Sequence, residues 1–226
     1  MDLMEAIEVR HSVRQYQDKP IPAAVREALQ AEIDKANEEG YLQLKIAFDE
    51  PRAFSSMMAH YGKFRGVNNY IVCGGRPSPD LQERVGFFVE CVVLKAQQLG
   101  LNTCWVALTY GKGSCKSLVE PGSKLVCTIA LGYGETQGIP RKSKAVQDLC
   151  SVNGVLPEWF ERGVKAAQLA PTAMNQQKFH FELHSDGHAV SAKSLGGFYS
   201  NIDLGIVRYH FQIGANSASE DWRWEA

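Results

Sequence analysis

The stretch 80–99 limits what this chain can become more than any other. Val85, Phe87, Phe88, Val89, Val92, Val93 and Leu94 recur at helical spacing almost all the way round the axis, and Gly100 follows as a stop. A helix with so little polar face must be covered on most sides. It belongs either in the centre of a domain or in a subunit interface. It is not a membrane span, because its longest apolar run, Val85 to Val93, is interrupted by Glu90 and is far too short to cross a bilayer.

A chain of 226 residues with 45% hydrophobic and 22% charged side chains can bury such a helix in a core of its own, as a single domain over 1–226. That composition excludes intrinsic disorder and collagen-like architecture. Lys and Arg number 24 against 25 Asp and Glu, so no basic field is available to hold a nucleic-acid backbone. Met1–Glu5 offers neither a basic n-region nor an apolar h-region, and the expectation is a cytoplasmic protein. With the total so balanced, the local gatherings of positive charge at Arg10–Arg14 and Arg141–Lys144 call for explanation by position.

Around the apolar helix the pattern alternates between helices and strands. Helices are predicted over 2–10, 22–38, 157–169 and 202–214, and strands over 42–48, 70–73, 103–108, 124–132 and 178–184. In 178–184, Phe179, Phe181 and Leu183 alternate with polar residues, and Ser185-Asp186-Gly187 supplies a hairpin turn. Residues 133–155 read as loop, and the tail at 221–224 as irregular. Several strands follow one another in hairpin-like order, which favours α+β over a doubly wound parallel sheet. Helix 22–38 leading into strand 42–48 is echoed by helix 157–169 leading into strand 178–184. A duplication and a commonly used helix-turn-strand unit both account for the echo.

Several tempting features lead nowhere. The six cysteines, at 73, 91, 104, 115, 127 and 150, lack zinc-site spacing and are expected to be reduced thiols. His180, His184 and His188 recur every four residues, but on a strand they fall on the polar face rather than forming a ligand ladder. Gly111–Ser117 lacks the spacing of a P-loop. Gly132-Tyr133-Gly134 has Gln137 where a dinucleotide fingerprint needs Gly or Ala. No metal site is expected.

Two segments remain that carry chemistry. Arg10-His11-Ser12-Val13-Arg14 gathers two guanidinium groups, a hydroxyl and an imidazole, the donors that a phosphate monoester accepts from. Taken alone it also suits a solvated helix end whose cations answer the helix dipole. Ala170-Pro171-Thr172-Ala173-Met174-Asn175-Gln176-Gln177 lies between a helix and a strand and is unusually rich in amides. Amides suit a heteroaromatic edge of alternating donors and acceptors, and they suit ordinary turns as well.

Together, R-H-S-V-R and A-P-T-A-M-N-Q-Q resemble the two signatures of the FMN-dependent nitroreductase family. Gly100–Trp105, the pair Ala130–Tyr133 and Pro140–Lys144, and Ile202–Ile206 with His210-Phe211 extend the likeness over most of the chain, toward a divergent subgroup often labelled "putative nitroreductases". The chain departs from the usual pattern in order. The N-x-Q loop normally stands about where Asn37–Tyr41 does here, and Thr172 and Lys178 replace its usual Ser and Pro.

The resemblance implies a three-layer α+β sandwich with a mixed, mostly antiparallel sheet flanked by helices. It implies a homodimer with FMN at the subunit interface, which would give the apolar helix a partner. Arg10, His11, Ser12 and Arg14 would clasp the FMN phosphate, with Arg141, Lys142 and Lys144 approaching from the other side. Pro171, Thr172, Ala173, Asn175 and Gln177 would line the ring and ribityl chain, and Val106, Ala107 and Leu108 would lie near the pyrimidine end. The implied activity moves a hydride from NADH or NADPH through flavin N5 to a small organic oxidant such as a nitroaromatic or quinone. The redox chemistry is then the cofactor's, and no side chain stands out as a catalytic acid or base. The rival readings are an FMN-binding storage, sensor or electron-relay protein without turnover, and a flavin-free interaction domain.

Overall fold

The computed structural model describes residues 1–225. In chain order the elements are α1 (Leu3–Val9), α2 (Ala23–Gly40), β1 (Lys45–Ala47), α3 (Met57–Tyr61), β2 (Asn69–Gly75), α4 (Leu81–Gln98), β3 (Asn102–Val106), α5 (Lys112–Lys116) and β4 (Lys124–Gly132). Then follow α6 (Val146–Leu149), β5 (Cys150–Val152), α7 (Glu158–Gln168), β6 (Phe179–Leu183), β7 (Ala189–Ser194), α8 (Ser200–Asn216) and β8 (Arg223–Trp224). The class is α+β, and the strands divide into two four-stranded sheets. One has the order β1-β2-β4-β3 and is antiparallel throughout. The other has the order β5-β6-β7-β8, with an antiparallel pair at its centre and a parallel strand on each edge.

The apolar helix is α4, and it lies in the middle of the molecule. No residue from Leu81 to Gln98 is exposed. It packs on α8, α2 and α1 and on strands β2 and β3, so most of its surface is covered within the chain. The crossing with α8 is close because both helices present a glycine there. A Cβ on Gly86 would stand 2.1 Å from the carbonyl oxygen of Ile202, and one on Gly205 would stand 2.0 Å from that of Glu83.

Local chemistry sets the remaining boundaries. Asp2 starts α1 with a reciprocal cap: its carboxylate accepts from Glu5 N–H at 2.9 Å, and Glu5 accepts from Asp2 N–H at 2.8 Å. The helix stops at Arg10, whose backbone is extended. Val13 N–H then donates to Thr103 O at 3.0 Å, which lays segment 10–14 along β3.

Three expectations need correction. Strand 42–48 shrinks to β1, because the Asn37 side chain takes both Leu44 N–H and Leu44 O and ties that residue to the end of α2. The loop 133–155 contains α6 and β5, the latter adding a parallel edge to β6. The tail at 221–224 is not irregular. Arg223-Trp224 forms β8 beside β7, anchored by Trp222 and Trp224 against Phe211.

The histidine ladder dissolves as the strand period requires. Phe179, Phe181 and Leu183 are buried, while His180 sits on the other face with Nε2 3.1 Å from Ser151 Oγ. All six cysteines are free thiols, and no group of three or more metal-binding side chains occurs among the described residues.

Candidate functional site

A cavity of about 460 Å³ opens between the end of β3 with the loop that follows it and the start of α8 with the loop that follows α7. That size suits a small-molecule or cofactor site. The wall from the N-terminal part of the chain is Ser12, Arg14, Phe64 and the run Cys104–Thr109, with Cys127 behind it. The facing wall is Pro171–Met174, Phe198, Tyr199, Ile202, Asp203 and Ile206. Leu108, Met174 and Phe198 are large apolar side chains on this lining that are nevertheless exposed, so the mouth is rimmed for a flat apolar guest. Strand β3 ends at Val106, which releases Ala107 and Leu108 from the sheet and into the wall.

The two basic segments meet beside this cavity. Arg10 is 1% exposed, and none of its three guanidinium nitrogens has a hydrogen-bond partner. Its nearest carboxylate is Glu90, with Nε 3.8 Å from Oε1, too long for a hydrogen bond. Burial pulls the Arg10 pKa down, and the Glu90 charge opposes that shift. His11 Nδ1 is likewise buried without a partner, and burial with the Arg10 and Arg141 charges lowers that imidazole's pKa. Arg141 is drawn down to about 10, first by burial and then by Arg10. It donates to Ala170 O at 3.0 Å and Leu169 O at 2.7 Å, capping the C-terminal end of α7. The result is a buried, unpartnered guanidinium with a second arginine and an imidazole beside it, which is the chemistry an anion satisfies.

Glu90 anchors this group from α4. Trp105 Nε1–H donates to its Oε2 at 2.8 Å, and His210 Nε2 lies 2.9 Å from its Oε1. His210 Nδ1 faces Ala166 O at 3.1 Å and must carry a hydrogen there, since a carbonyl only accepts. Through Trp105 the network reaches the cavity wall.

The expected site residues fall into two sets. Ser12, Arg14, Val106, Ala107, Leu108, Pro171, Thr172 and Ala173 line the cavity. Arg10, Arg141 and the imidazole of His11 make up the group of donors next to it. Lys142, Lys144, Asn175 and Gln177 do not line the cavity but bind one another. Asn175 Nδ2 and Gln177 Nε2 both donate to Lys142 O, at 2.8 and 2.9 Å, and Lys144 Nζ donates to Gln177 O at 2.8 Å. The amides of the loop thus fasten the second basic segment rather than facing a ring.

Asp203 was not anticipated. Its carboxylate accepts from Ala173 N–H at 2.9 Å and from Gln176 Nε2 at 2.7 Å, which pins the short 3-10 turn Ala173–Asn175 over the cavity. Burial pushes its pKa up to about 6, against these hydrogen bonds. The signal was an acid in the first turn of an otherwise apolar helix. Glu90 gave the same signal in the middle of the apolar run.

The α+β architecture and this cavity place the molecule in the nitroreductase-like fold class. A family model described as "Putative TM nitroreductase" matches residues 2–215, and the chain belongs to that family. The structure is similar to one described as a putative nitroreductase from Thermotoga maritima, with a TM-score of 0.67 at 25% identity, covering 96% of this chain and 85% of that one. A putative nitroreductase in complex with FMN from Desulfovibrio desulfuricans gives a TM-score of 0.54 at 17% identity, covering 70% and 99%. A putative NADH oxidase from Clostridium acetobutylicum gives 0.51 at 18% identity, covering 63% and 96%. The latter two likenesses establish a shared fold. No curated protein matches the sequence.

Proposed function

We propose that the protein is an FMN-dependent oxidoreductase that takes reducing equivalents from NADH or NADPH and delivers them to a small organic oxidant such as a nitroaromatic or quinone. The observation that carries this reading is the buried, unpartnered guanidinium of Arg10, with His11 and Arg141 beside it, adjoining an apolar cavity large enough for an aromatic ring system. When bound, FMN supplies hydride acceptance and hydride donation at N5.

The chain's own part is binding and orientation. Arg10 and His11 offer the phosphate unpartnered donors already stripped of water, so no hydration shell is lost from them on binding. Arg14, on the cavity wall, would add a positive charge beside the bound nucleotide. Pro171–Ala173 shield the other side from water, and Asp203 holds that loop in place. The exposed rim of Leu108, Met174 and Phe198 leaves one side open to a second flat molecule, which suits donor and oxidant using one slot in turn.

The test is whether the purified protein retains FMN through desalting and whether NADH or NADPH bleaches it in the absence of air. Flavin retention with rapid bleaching supports the reading. Retention without bleaching would favour a storage or relay role, and failure to bind added FMN would reject both.

A further inference from the structure

Two turns at the cavity mouth have left-handed backbone at residues other than glycine. In the loop after α7, Met174, Asn175 and Gln177 have φ of 51°, 54° and 44°. In the segment before α8, Gly197 and Tyr199 have φ of 115° and 57°, and Phe198 stands between them. A residue with a Cβ is strained in this region and stays there only where its surroundings enforce it.

Side-chain bonds account for two of the three residues in the loop. Asn175 donates to Lys142 O at 2.8 Å and accepts from Gln177 Nε2 at 3.1 Å, and asparagine tolerates left-handed backbone in any case. Gln177 is buried, accepts from Lys144 N–H at 2.9 Å and donates to Lys142 O at 2.9 Å. Met174 has no such compensation. Its side chain is apolar, 77% exposed, and forms part of the cavity lining. Phe198 is its counterpart on the other turn, also on the lining and 69% exposed.

One amide nitrogen ties the two turns together. Gln176 Nε2 donates to Phe198 O at 2.8 Å and to Asp203 Oδ2 at 2.7 Å, while Asp203 Oδ1 accepts from Ala173 N–H at 2.9 Å. The backbones that carry Met174 and Phe198 are thus fixed relative to each other, and their side chains are left unpacked. Unpacked apolar side chains on a fixed support serve a ligand rather than the core. A thioether and a phenyl ring both make favourable contacts with aromatic rings, and neither offers anything to a charge.

We infer that Met174 and Phe198 form a clasp that grips a flat, uncharged aromatic ring at the cavity mouth, with Gln176 and Asp203 as its positioning residues. That this ring belongs to the oxidant, or to the nicotinamide that precedes it, rests on the function proposed above, whereas the clasp itself does not. The strain at Met174 is then stability given up for a ligand contact.

A structural role and a ligand role for Met174 predict opposite signs. Glycine adopts left-handed backbone freely, so Met174→Gly should melt about 2 °C higher than wild type while binding quinoline about fivefold more weakly. Quinoline serves as the probe because it is flat, uncharged at neutral pH and redox-inert, and titration calorimetry on the flavin-free protein reads its affinity. Met174→Leu keeps an apolar side chain and should bind quinoline within about twofold of wild type. Phe198→Ala should lose about fivefold. Gln177→Gly also relieves a left-handed residue but removes the bonds to Lys142 and Lys144, so it should melt lower than wild type. A Met174→Gly protein that melts lower than wild type would overturn the inference, as would wild-type affinity in Met174→Gly or Phe198→Ala, or a Met174→Leu protein as weak as Met174→Gly. Failure of the wild type to bind quinoline would overturn it too. FMN retention is measured separately. A wild type that binds quinoline but not FMN would reject the proposed function and leave the clasp standing, whereas retained FMN with unchanged quinoline binding in the variants would reject the clasp alone.

Discussion

Arg10 carries a charge that the folded chain does not answer with hydrogen bonds, and this makes it the most informative single residue. A buried guanidinium without partners is costly unless something else completes it. Arg10→Met should therefore lower FMN affinity by about 3 kcal/mol, on the order of a hundredfold, while leaving unfolding of the flavin-free protein within about 1 kcal/mol of wild type. Titration calorimetry and urea denaturation read the two effects separately. Equal losses in both would make Arg10 a structural residue only. Asp203 gives a pH prediction. Its pKa rises from 3.8 to about 6 on folding, so its burial is cost-free below about pH 4 and lowers stability progressively as pH rises through 6. Asp203→Asn should flatten the decline between pH 4 and 7, on the order of 2 kcal/mol, in urea midpoints taken across that range. The Arg10–Arg14 cluster was legible because five residues announce their chemistry locally. The work of Asn175 and Gln177 was not, since which backbone they hold depends on a segment more than thirty positions away.

At the scale of elements, the crossing of α4 and α8 is the joint on which the rest depends. Gly86→Val should cost about 3 kcal/mol or more, because the clash is with backbone on both sides and neither helix can yield alone. Gly113→Ala makes the control, since nothing lies within 4 Å of the added carbon there. Urea midpoints compare the two, and a shift for Gly86→Val no larger than the control's would remove the crossing from the account. Long helices and buried strands were readable from period alone, and α4 and β4 sit within a residue of where the sequence places them. Short edge strands were not. β5 and β8 have three and two residues, too few to show a period, and they exist because a neighbouring strand offers them an edge.

For the whole molecule, the apolar helix that demanded cover from the start finds it within its own chain. Much of that cover comes from α8, which packs along it. The same arrangement brings the early R-H-S-V-R segment and the late P-T-A-M loop to opposite walls of one cavity. The central claim is that this cavity and its buried cations hold one flavin nucleotide per chain. Titrating flavin-free protein of known concentration with FMN, followed by flavin fluorescence, tests it most directly. Saturation at one FMN per chain, accompanied by a raised melting temperature, is the predicted result. No saturable binding, or saturation at half or twice that ratio, would contradict it.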